Sequence, residues 1–145
     1  MYERQVVRIL LVEDDERIVN FMKRGLEAEE FTVDVASQRS YAVELINARL
    51  YDLLIIDIFL GPDDGLDFCR ALRKQKVQAP ILMMTAKGTP ETEKVSKEAG
   101  ADAYLAKPFA FQDLVEMIAR LCPRREPHDS VMEMRVRPSW SPETI

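Results

Sequence analysis

The chain alternates short apolar runs with longer stretches of helical periodicity, and this alternation repeats five times. The apolar runs, which we expect to be strands, cover residues 6–12, 32–36, 53–57, 81–85 and 103–106. The stretches that follow them, which we expect to be helices, cover residues 16–29, 40–48, 66–74, 91–99 and 111–121. This order favours an α/β fold in which a parallel sheet carries helices on both faces.

Three of the expected elements have a distinctive composition. The third run is apolar over four residues and ends on Asp57, as in a central strand that is buried on both faces. In the second helix, Val43 and Ile46 are expected to point inward. The fourth helix, residues 91–99, is unusually polar, so we expect it to pack lightly and to move at low cost.

Length and charge restrict the class of protein. A chain of 145 residues has room for one domain and a tail. Its net charge is -5, and its lysines and arginines are spread along the sequence, which disfavours direct binding to nucleic acid. The longest apolar stretches are too short to cross a bilayer, and Met1 is followed by charged residues rather than by a signal-peptide pattern. We therefore expect a cytoplasmic protein without a membrane partner.

The cysteines and the histidine exclude several chemistries. Cys69 and Cys122 lie far apart, without the spacing of a redox pair or a zinc site, so we expect two reduced thiols that pack in the core. His128 is the single histidine of the chain and lies near its end. A histidine metal cluster and a Ser-His-Asp triad are both excluded within this sequence.

Polar residues follow four of the five expected strands. They are Glu13 and Asp14 after the first, Asp57 at the end of the third, Thr85 at the end of the fourth and Lys107 after the fifth. Because the carboxyl ends of parallel strands meet at one edge of a sheet, these side chains are expected to share a pocket. Adjacent carboxylates repel unless a cation offsets their charge, and oxygen ligands alone suit a hard ion such as Mg2+.

This set of side chains fits phosphoryl transfer. Asp57 is a nucleophile that needs no deprotonation at neutral pH, Lys107 offsets negative charge, and Thr85 donates a hydrogen bond. Structural roles compete at each position, because Asp57 and Thr85 could cap turns and Lys107 could be a solvated lysine. For Asp15 and Glu16, helix capping is the preferred interpretation. The coincidence of polar residues at four strand ends favours a site.

Four motifs in order resemble the response-regulator receiver family of two-component signalling. They read ILLVEDDE at the first strand, LLIID at the third, ILMMTA at the fourth and GADAYLAKPF around the fifth, and the match covers residues 7–121. The resemblance implies a flavodoxin-like α/β fold, with five helices around a doubly wound five-stranded parallel sheet. The strand order would be 2-1-3-4-5.

The resemblance also implies roles for single residues. Asp57 would accept a phosphoryl group from a sensor histidine kinase or a phosphotransfer protein. Mg2+ would be held by Glu13, Asp14, Asp57 and the backbone carbonyl of Phe59. Thr85 and Lys107 would contact the phosphoryl oxygens.

Two further positions gain a role only through the resemblance. Tyr104 would be a switch aromatic that turns inward when Thr85 moves toward the phosphoryl group, although ordinary strand packing of Tyr104 is the alternative. The peptide bond between Lys107 and Pro108 would be cis. The phosphorylated protein would change the surface of its fourth helix, fifth strand and fifth helix. It would thereby control an output domain or a partner protein, and it would be no enzyme beyond assisting its own phosphorylation and dephosphorylation.

The sequence departs from the family pattern in places. The turn after Asp57 reads LGPDDG where many relatives have LPGMDG, so Pro and Gly are exchanged. Phe59 and Lys87 occupy variable positions that tune the lifetime of the phosphoryl group in this family. In the winged-helix DNA-binding subfamily, which GADAYLAKPF resembles, the fourth helix, fifth strand and fifth helix usually form a charged dimer surface. At that surface, Glu93, Ala103 and Met117 stand where a basic residue, an acid and an arginine are common. These replacements weigh against the usual phosphorylation-dependent dimer.

The domain boundary is expected near the end of the last helix. Residues 1–122 would form the receiver domain, because four prolines interrupt the chain after Leu121. Residues 123–145 would be a tail or linker, or the start of an effector domain through which alone the protein would contact nucleic acid. Met132, Met134 and Val136 alternate with charged residues and could form one strand, but a solvated end is the simpler interpretation.

Two rival functions remain open from the residues. A phosphatase of the haloacid-dehalogenase type also forms an aspartyl phosphate, but it needs a second Asp two residues after the nucleophile, where this chain has Phe59. A flavodoxin-like nucleotide or flavin binder would place glycine-rich backbone donors after the first strand. The acidic residues at that position would instead repel a phosphate unless a metal intervened.

Overall fold

A computed structural model of the chain describes residues 6–123. Its strands are β1 Arg8–Val12, β2 Thr32–Ala36, β3 Leu53–Asp57, β4 Phe59–Leu60, β5 Asp63–Asp64, β6 Ile81–Thr85 and β7 Ala103–Ala106. Its helices are α1 Glu16–Ala28, α2 Arg39–Ala48, α3 Gly65–Lys74, α4 Pro90–Glu98 and α5 Phe111–Leu121. The expected strand at residues 132–136 and the tail that contains His128 lie outside the described residues.

The five longer strands form one parallel sheet in the order β2-β1-β3-β6-β7. Counting only these five strands along the chain, the order is 2-1-3-4-5, which confirms the expected topology. In the register of β3 and β6, Asp57 lies opposite Met84, so Thr85 follows directly beyond the level of Asp57. The sheet therefore brings the last residues of its central strands to one edge.

Alternate residues of the central strands enter two separate cores. One face packs on α1 and α5, and its buried residues include Ile9, Leu11, Ile55, Met22, Leu26, Leu114 and Ile118. The other face packs on α2 and α3, and its buried residues include Leu10, Val12, Leu54, Ile56, Ala42, Phe68 and Leu72. Each fully buried Leu or Ile contributes roughly 1.5–3 kcal/mol, so the central strands are firmly held.

Two local expectations need correction. Val43 is 39% exposed, whereas Ala42 is buried and Ile46 is partly buried, so the prediction that Val43 points inward is wrong. A helix turns by about 100° per residue, and the inward face of α2 runs through positions three and four residues beyond Ala42. In addition, the turn after Asp57 contains an unpredicted hairpin, in which β4 and β5 pair antiparallel.

The lightly packed fourth helix and the packing thiols agree with expectation. Within α4, Ser96 is the one buried residue. Cys69 and Cys122 are both buried and free. Burial raises the pKa of the Cys69 thiol to about 11 and that of Cys122 to about 12. Between residues 6 and 123, no helix combines the length and the apolar character needed to cross a bilayer.

Candidate functional site

Lys107 lies just beyond the end of β7 and connects two carboxylates from other strands. Its Nζ donates to Oδ2 of Asp57 at 2.9 Å and to Oε1 of Glu13 at 2.9 Å. Its backbone N–H donates to the carbonyl of Thr85 at 2.7 Å, which fixes the chain beside β6. The peptide bond between Lys107 and Pro108 is cis. Residues 13, 57 and 107, far apart in sequence, thus form one ion-paired group.

Glu13 and Asp14 follow β1 and face Asp57. Each of these three residues offers a carboxylate oxygen, and the three oxygens all lie within 4.8 Å of one another. Glu13 and Asp57 are buried, whereas Asp14 is exposed. The acidic cluster of Glu13, Asp14 and Asp57 is therefore open to solvent at Asp14, and its two buried carboxylates pair with Lys107.

The start of α1 holds the first part of the acidic cluster in place. Asp15 is the N-cap of this helix, and its Oδ1 accepts from the backbone N–H groups of Arg17 and Ile18. The backbone N–H of Asp15 in turn donates to Oε2 of Glu13 at 3.0 Å. The expected capping role of Asp15 is confirmed, and the separate hydrogen bond from its backbone N–H holds the Glu13 carboxylate in place.

Burial sets the protonation of the ion-paired group. Burial raises the pKa of Glu13 to about 7, although hydrogen bonds from Asp15 and Lys107 oppose that change. For Lys107, burial disfavours the charged form, but hydrogen bonds to Asp57 and Glu13 outweigh it and raise the pKa above its ordinary value. The lysine therefore stays charged at neutral pH.

The loop after Asp57 is folded tightly against the end of β3. The backbone N–H of Phe59 donates to Oδ1 of Asp57 at 3.0 Å, so both oxygens of this carboxylate have a donor. The N–H of Gly65 donates to the carbonyl of Ile58 at 2.9 Å. A β-carbon at Gly65 would collide with the carbonyl oxygen of Asp57 and would come within 2.8 Å of Ile58 Cα. Glycine at position 65 therefore allows the loop to close.

A second set of contacts links Thr85 to Tyr104 through Lys87. Thr85 is fully buried, and its Oγ1 accepts from the backbone N–H of Lys87 at 3.0 Å. The hydroxyl of Tyr104 donates to the carbonyl of Lys87 at 3.3 Å. The Lys87 ammonium lies 5.5 Å from the ring centroid of Phe59, which is half exposed. The β6–α4 loop thus touches both the Asp57 loop and β7.

The acidic cluster suits a divalent cation. Its three carboxylates face one lysine, so two negative charges are left without a partner when all three are ionised. Oxygen donors without histidine or cysteine match the preference of hard ions such as Mg2+. The donor set therefore fits a metal that binds through Glu13, Asp14 and Asp57.

A family model for the response regulator receiver domain matches residues 9–119. The chain belongs to the response regulator receiver family. It is a receiver domain of two-component signalling, as the four motifs predicted. The matched residues include the acidic cluster, Thr85 and Lys107.

A curated relative and two solved structures place the receiver within its family. The transcriptional regulatory protein TcrA of Mycobacterium tuberculosis is 35% identical over 137 residues, which cover 92% of this chain and 54% of TcrA. The chain thus spans about half the length of that relative. Among solved structures, the receiver domain of a Francisella response regulator matches with a TM-score of 0.74 at 30% identity. The match covers 77% of this chain and 93% of the Francisella chain.

The second solved structure carries ligands. It is a response regulator from Burkholderia pseudomallei with a phosphorylated aspartic acid, a calcium ion and citrate. Its TM-score is 0.71 at 27% identity, and the match covers 90% of this chain and 73% of that one. Its fold is the same as that of the present receiver.

Most of the residues named from the sequence meet at one edge of the sheet. Glu13, Asp14, Asp57 and Lys107 form one group, and Thr85 is joined to that group through the backbone of Lys107. Tyr104 lies farther out, beside the β6–α4 loop. Sequence reasoning missed that Lys87 lies over the ring of Phe59 and that glycine at position 65 allows the loop after Asp57 to close. The glycine that ends the LGPDDG turn was the sequence signal available for this loop closure.

Proposed function

We propose that this receiver is a phosphorylation switch in which Asp57 accepts a phosphoryl group from a sensor histidine kinase or a phosphotransfer protein. The observation that carries the proposal is the single ion-paired group that Lys107 forms with Asp57 and Glu13, next to the oxygens of Asp14. The transfer breaks the bond between phosphorus and a histidine nitrogen of the donor and forms a bond between phosphorus and a carboxylate oxygen of Asp57. The electron pair of the broken bond stays on the histidine nitrogen.

The residues around Asp57 have distinct tasks in this transfer. Lys107 offsets negative charge on the incoming phosphoryl oxygens, and Thr85 has one hydroxyl proton to donate to them. The metal ligands would be Glu13, Asp14, Asp57 and the carbonyl of Phe59, with Mg2+ as the ion. When bound, Mg2+ would supply further neutralisation of charge at the phosphoryl group. The phosphorylated aspartate and calcium ion of the Burkholderia protein support this assignment by analogy.

Phosphorylation would be transmitted through the contacts of Lys87. If Thr85 moves toward the phosphoryl group, it loses or redirects the hydrogen bond from the Lys87 amide. The Lys87 carbonyl is in turn the partner of the Tyr104 hydroxyl, so Tyr104 becomes free to turn inward. The surface formed by α4, β7 and α5 would change as a result. A switch from about 1:99 to about 99:1 needs roughly 5.5 kcal/mol, which a few charge-assisted hydrogen bonds can largely supply.

The changed surface would act on an output domain or on a partner protein. The lightly packed α4 supports this choice, because movement there disturbs few buried contacts. The relative TcrA is a transcriptional regulatory protein, which supports an output on transcription through parts of the protein other than the described receiver. Residues 1–122 would be the receiver, and residues 123–145 the tail, the linker or the start of the output domain.

Labelling with a small phosphodonor tests the proposal. The full chain is incubated with Mg2+ and acetyl phosphate, and intact-mass measurement is expected to find one acid-labile phosphoryl group. Asp57→Asn should abolish the label, and Asp67→Asn should keep it. Asp67 is a suitable control because it is exposed and pairs with Arg39 away from the acidic cluster.

Two results would contradict the proposal, and each points to a different error. Equal labelling of the wild type and Asp57→Asn would reject Asp57 as the acceptor. Steady turnover of a phosphomonoester would instead favour an enzyme that uses the same aspartate. In the proposed switch, the label is a single stoichiometric modification that requires Mg2+.

A further inference from the structure

Gly61 lies in the turn between β4 and β5, directly beside the acidic cluster. Its φ is +57°, in the left-handed region. A β-carbon at this position would lie 3.1 Å from Oδ2 of Asp14. This distance is shorter than an ordinary contact between carbon and oxygen, so the side chain of Asp14 occupies the space that any other residue at position 61 would partly fill.

We propose that Gly61 is a positioning residue for the cation site and that its missing side chain sets the place of the Asp14 carboxylate. This inference rests on the proposed function, in which Asp14 is a ligand of Mg2+. Gly61 itself would not touch the ion. Its missing side chain leaves space for the Asp14 carboxylate, one oxygen of which lies within 4.8 Å of oxygens of Glu13 and Asp57.

The backbone conformation alone does not account for glycine at this position. Glu30 and Lys76 adopt φ values of 70° and 67°, so this chain accommodates larger residues in the left-handed region elsewhere. That conformation carries a steric cost for a residue other than glycine, but it does not exclude one. The contact with Asp14 is the additional requirement that distinguishes position 61 from positions 30 and 76.

The strain of a side chain at position 61 would be relieved by movement of Asp14. Asp14 is exposed and follows the end of β1, whereas its neighbour Glu13 is buried and held by two donors. A rotation of the Asp14 carboxylate is therefore the least costly response. Mg2+ requires near-octahedral geometry with oxygens at about 2.0–2.1 Å, so even a small displacement of one ligand weakens binding.

Among the five glycines of the chain, Gly61 is the one at which an added β-carbon would meet a carboxylate. A β-carbon at Gly25 would meet the ring of Phe111, and one at Gly100 would meet the side chain of Arg73. A β-carbon at Gly65 would meet backbone atoms of Asp57 and Ile58. One at Gly88 would meet the side chain of Ala106 in β7. The contact with a carboxylate of the acidic cluster is thus specific to Gly61.

Mg2+ titration of variants at position 61 tests the inference. Gly61→Ala adds a β-carbon and backbone strain, whereas Gly61→Asn adds the same β-carbon in a residue that tolerates the left-handed region better. Pro62→Ala is the matched control, because it alters the neighbouring turn residue without filling the space beside Asp14. Binding is followed by NMR through the amide signals of residues 13–15, which also report that each variant is folded.

We expect both Gly61 variants to bind Mg2+ about tenfold more weakly than the wild type, as is usual when a residue that orients a ligand is changed. Pro62→Ala should bind within about twofold of the wild type. If Gly61→Ala does not fold, Gly61→Asn carries the test. A merely structural role of Gly61 would lower the denaturation midpoint of the variants while their Mg2+ affinity stayed at the wild-type value.

The failures are distinguishable. If the wild type binds Mg2+ and the Gly61 variants bind it equally well, the inference is overturned while the proposed function stands. The same holds if Pro62→Ala weakens binding as much as the Gly61 variants do. If the wild type itself binds no Mg2+, the proposed metal ligands are wrong, and the inference is overturned with them.

Discussion

Glu13 couples the stability of the metal-free protein to pH in the range between pH 4.5 and about 7. Its side chain is fully buried, and burial raises its pKa from 4.5 to about 7. Between these two values the folded protein keeps a proton on Glu13 that the unfolded chain has already released. The folded state therefore binds more protons than the unfolded state, and the free energy of unfolding must fall as pH rises.

The size of the effect follows from the two pKa values. Their difference is about 2.5, and one pKa unit corresponds to 1.36 kcal/mol. Complete ionisation of Glu13 therefore lowers the free energy of unfolding by about 3 kcal/mol. This stabilisation is fully present below pH 4.5 and is lost as pH rises through about 7. Lys107 does not disturb the measurement, since its pKa is raised and it stays charged throughout this window.

Urea denaturation near pH 5 and near pH 8, with a chelator present, measures the loss. Glu13→Gln is the control, because glutamine does not titrate and still offers an oxygen to the Asp15 amide. Because part of the stabilisation is already lost at pH 5, the wild type should lose about 2.5 kcal/mol more than Glu13→Gln between the two conditions. Mg2+ should restore part of the wild-type stability near pH 8, because a cation favours the ionised carboxylate. Parallel pH profiles for the two proteins would refute the reasoning.

Three further predictions concern residues that support the site. Gly65→Ala should destabilise the fold by about 1–3 kcal/mol, because the new methyl group displaces the backbone of Asp57. The same displacement should slow phosphorylation by acetyl phosphate, and an unchanged rate of labelling would contradict this. Asp15→Ala should lower the free energy of unfolding, measured in urea, by about 1 kcal/mol through loss of the α1 cap, whereas an unchanged midpoint would show that the cap is unimportant. Arg73→Met removes four hydrogen bonds, including one to Asp102, and should lower the free energy of unfolding in urea by about 2 kcal/mol. Arg73→Lys should recover only part of that loss, because lysine lacks the planar fork, and full recovery would show that charge alone matters.

Hydrophobic periodicity was sufficient to predict the elements of this fold. Strand and helix periods are local properties, and a residue is buried or exposed according to its position within its own element. The four strands expected at residues 32–36, 53–57, 81–85 and 103–106 therefore agree with the structure residue for residue. Weaker local signals gave errors, as with Val43 in α2 and the short hairpin of β4 and β5.

The location of the site was also predictable, because the carboxyl ends of parallel strands meet at one edge of the sheet. Residue type and position after a strand were enough to select Asp57, Glu13, Asp14 and Lys107. The pattern could not say which of these side chains are buried or paired. Their roles in phosphoryl transfer stay predictions until the labelling and titration experiments are done.

What the sequence by itself determined was thus the order of elements, the topology implied by the family motifs and the types of residue at the strand ends. Only the tertiary structure decided that Lys107 bridges Glu13 and Asp57, that Lys87 lies over Phe59 and that Gly61 leaves room for Asp14. The reason is physical. These contacts depend on distances of a few ångströms between residues far apart in the chain, and such distances are set by how the helices and loops pack on the sheet rather than by any local pattern.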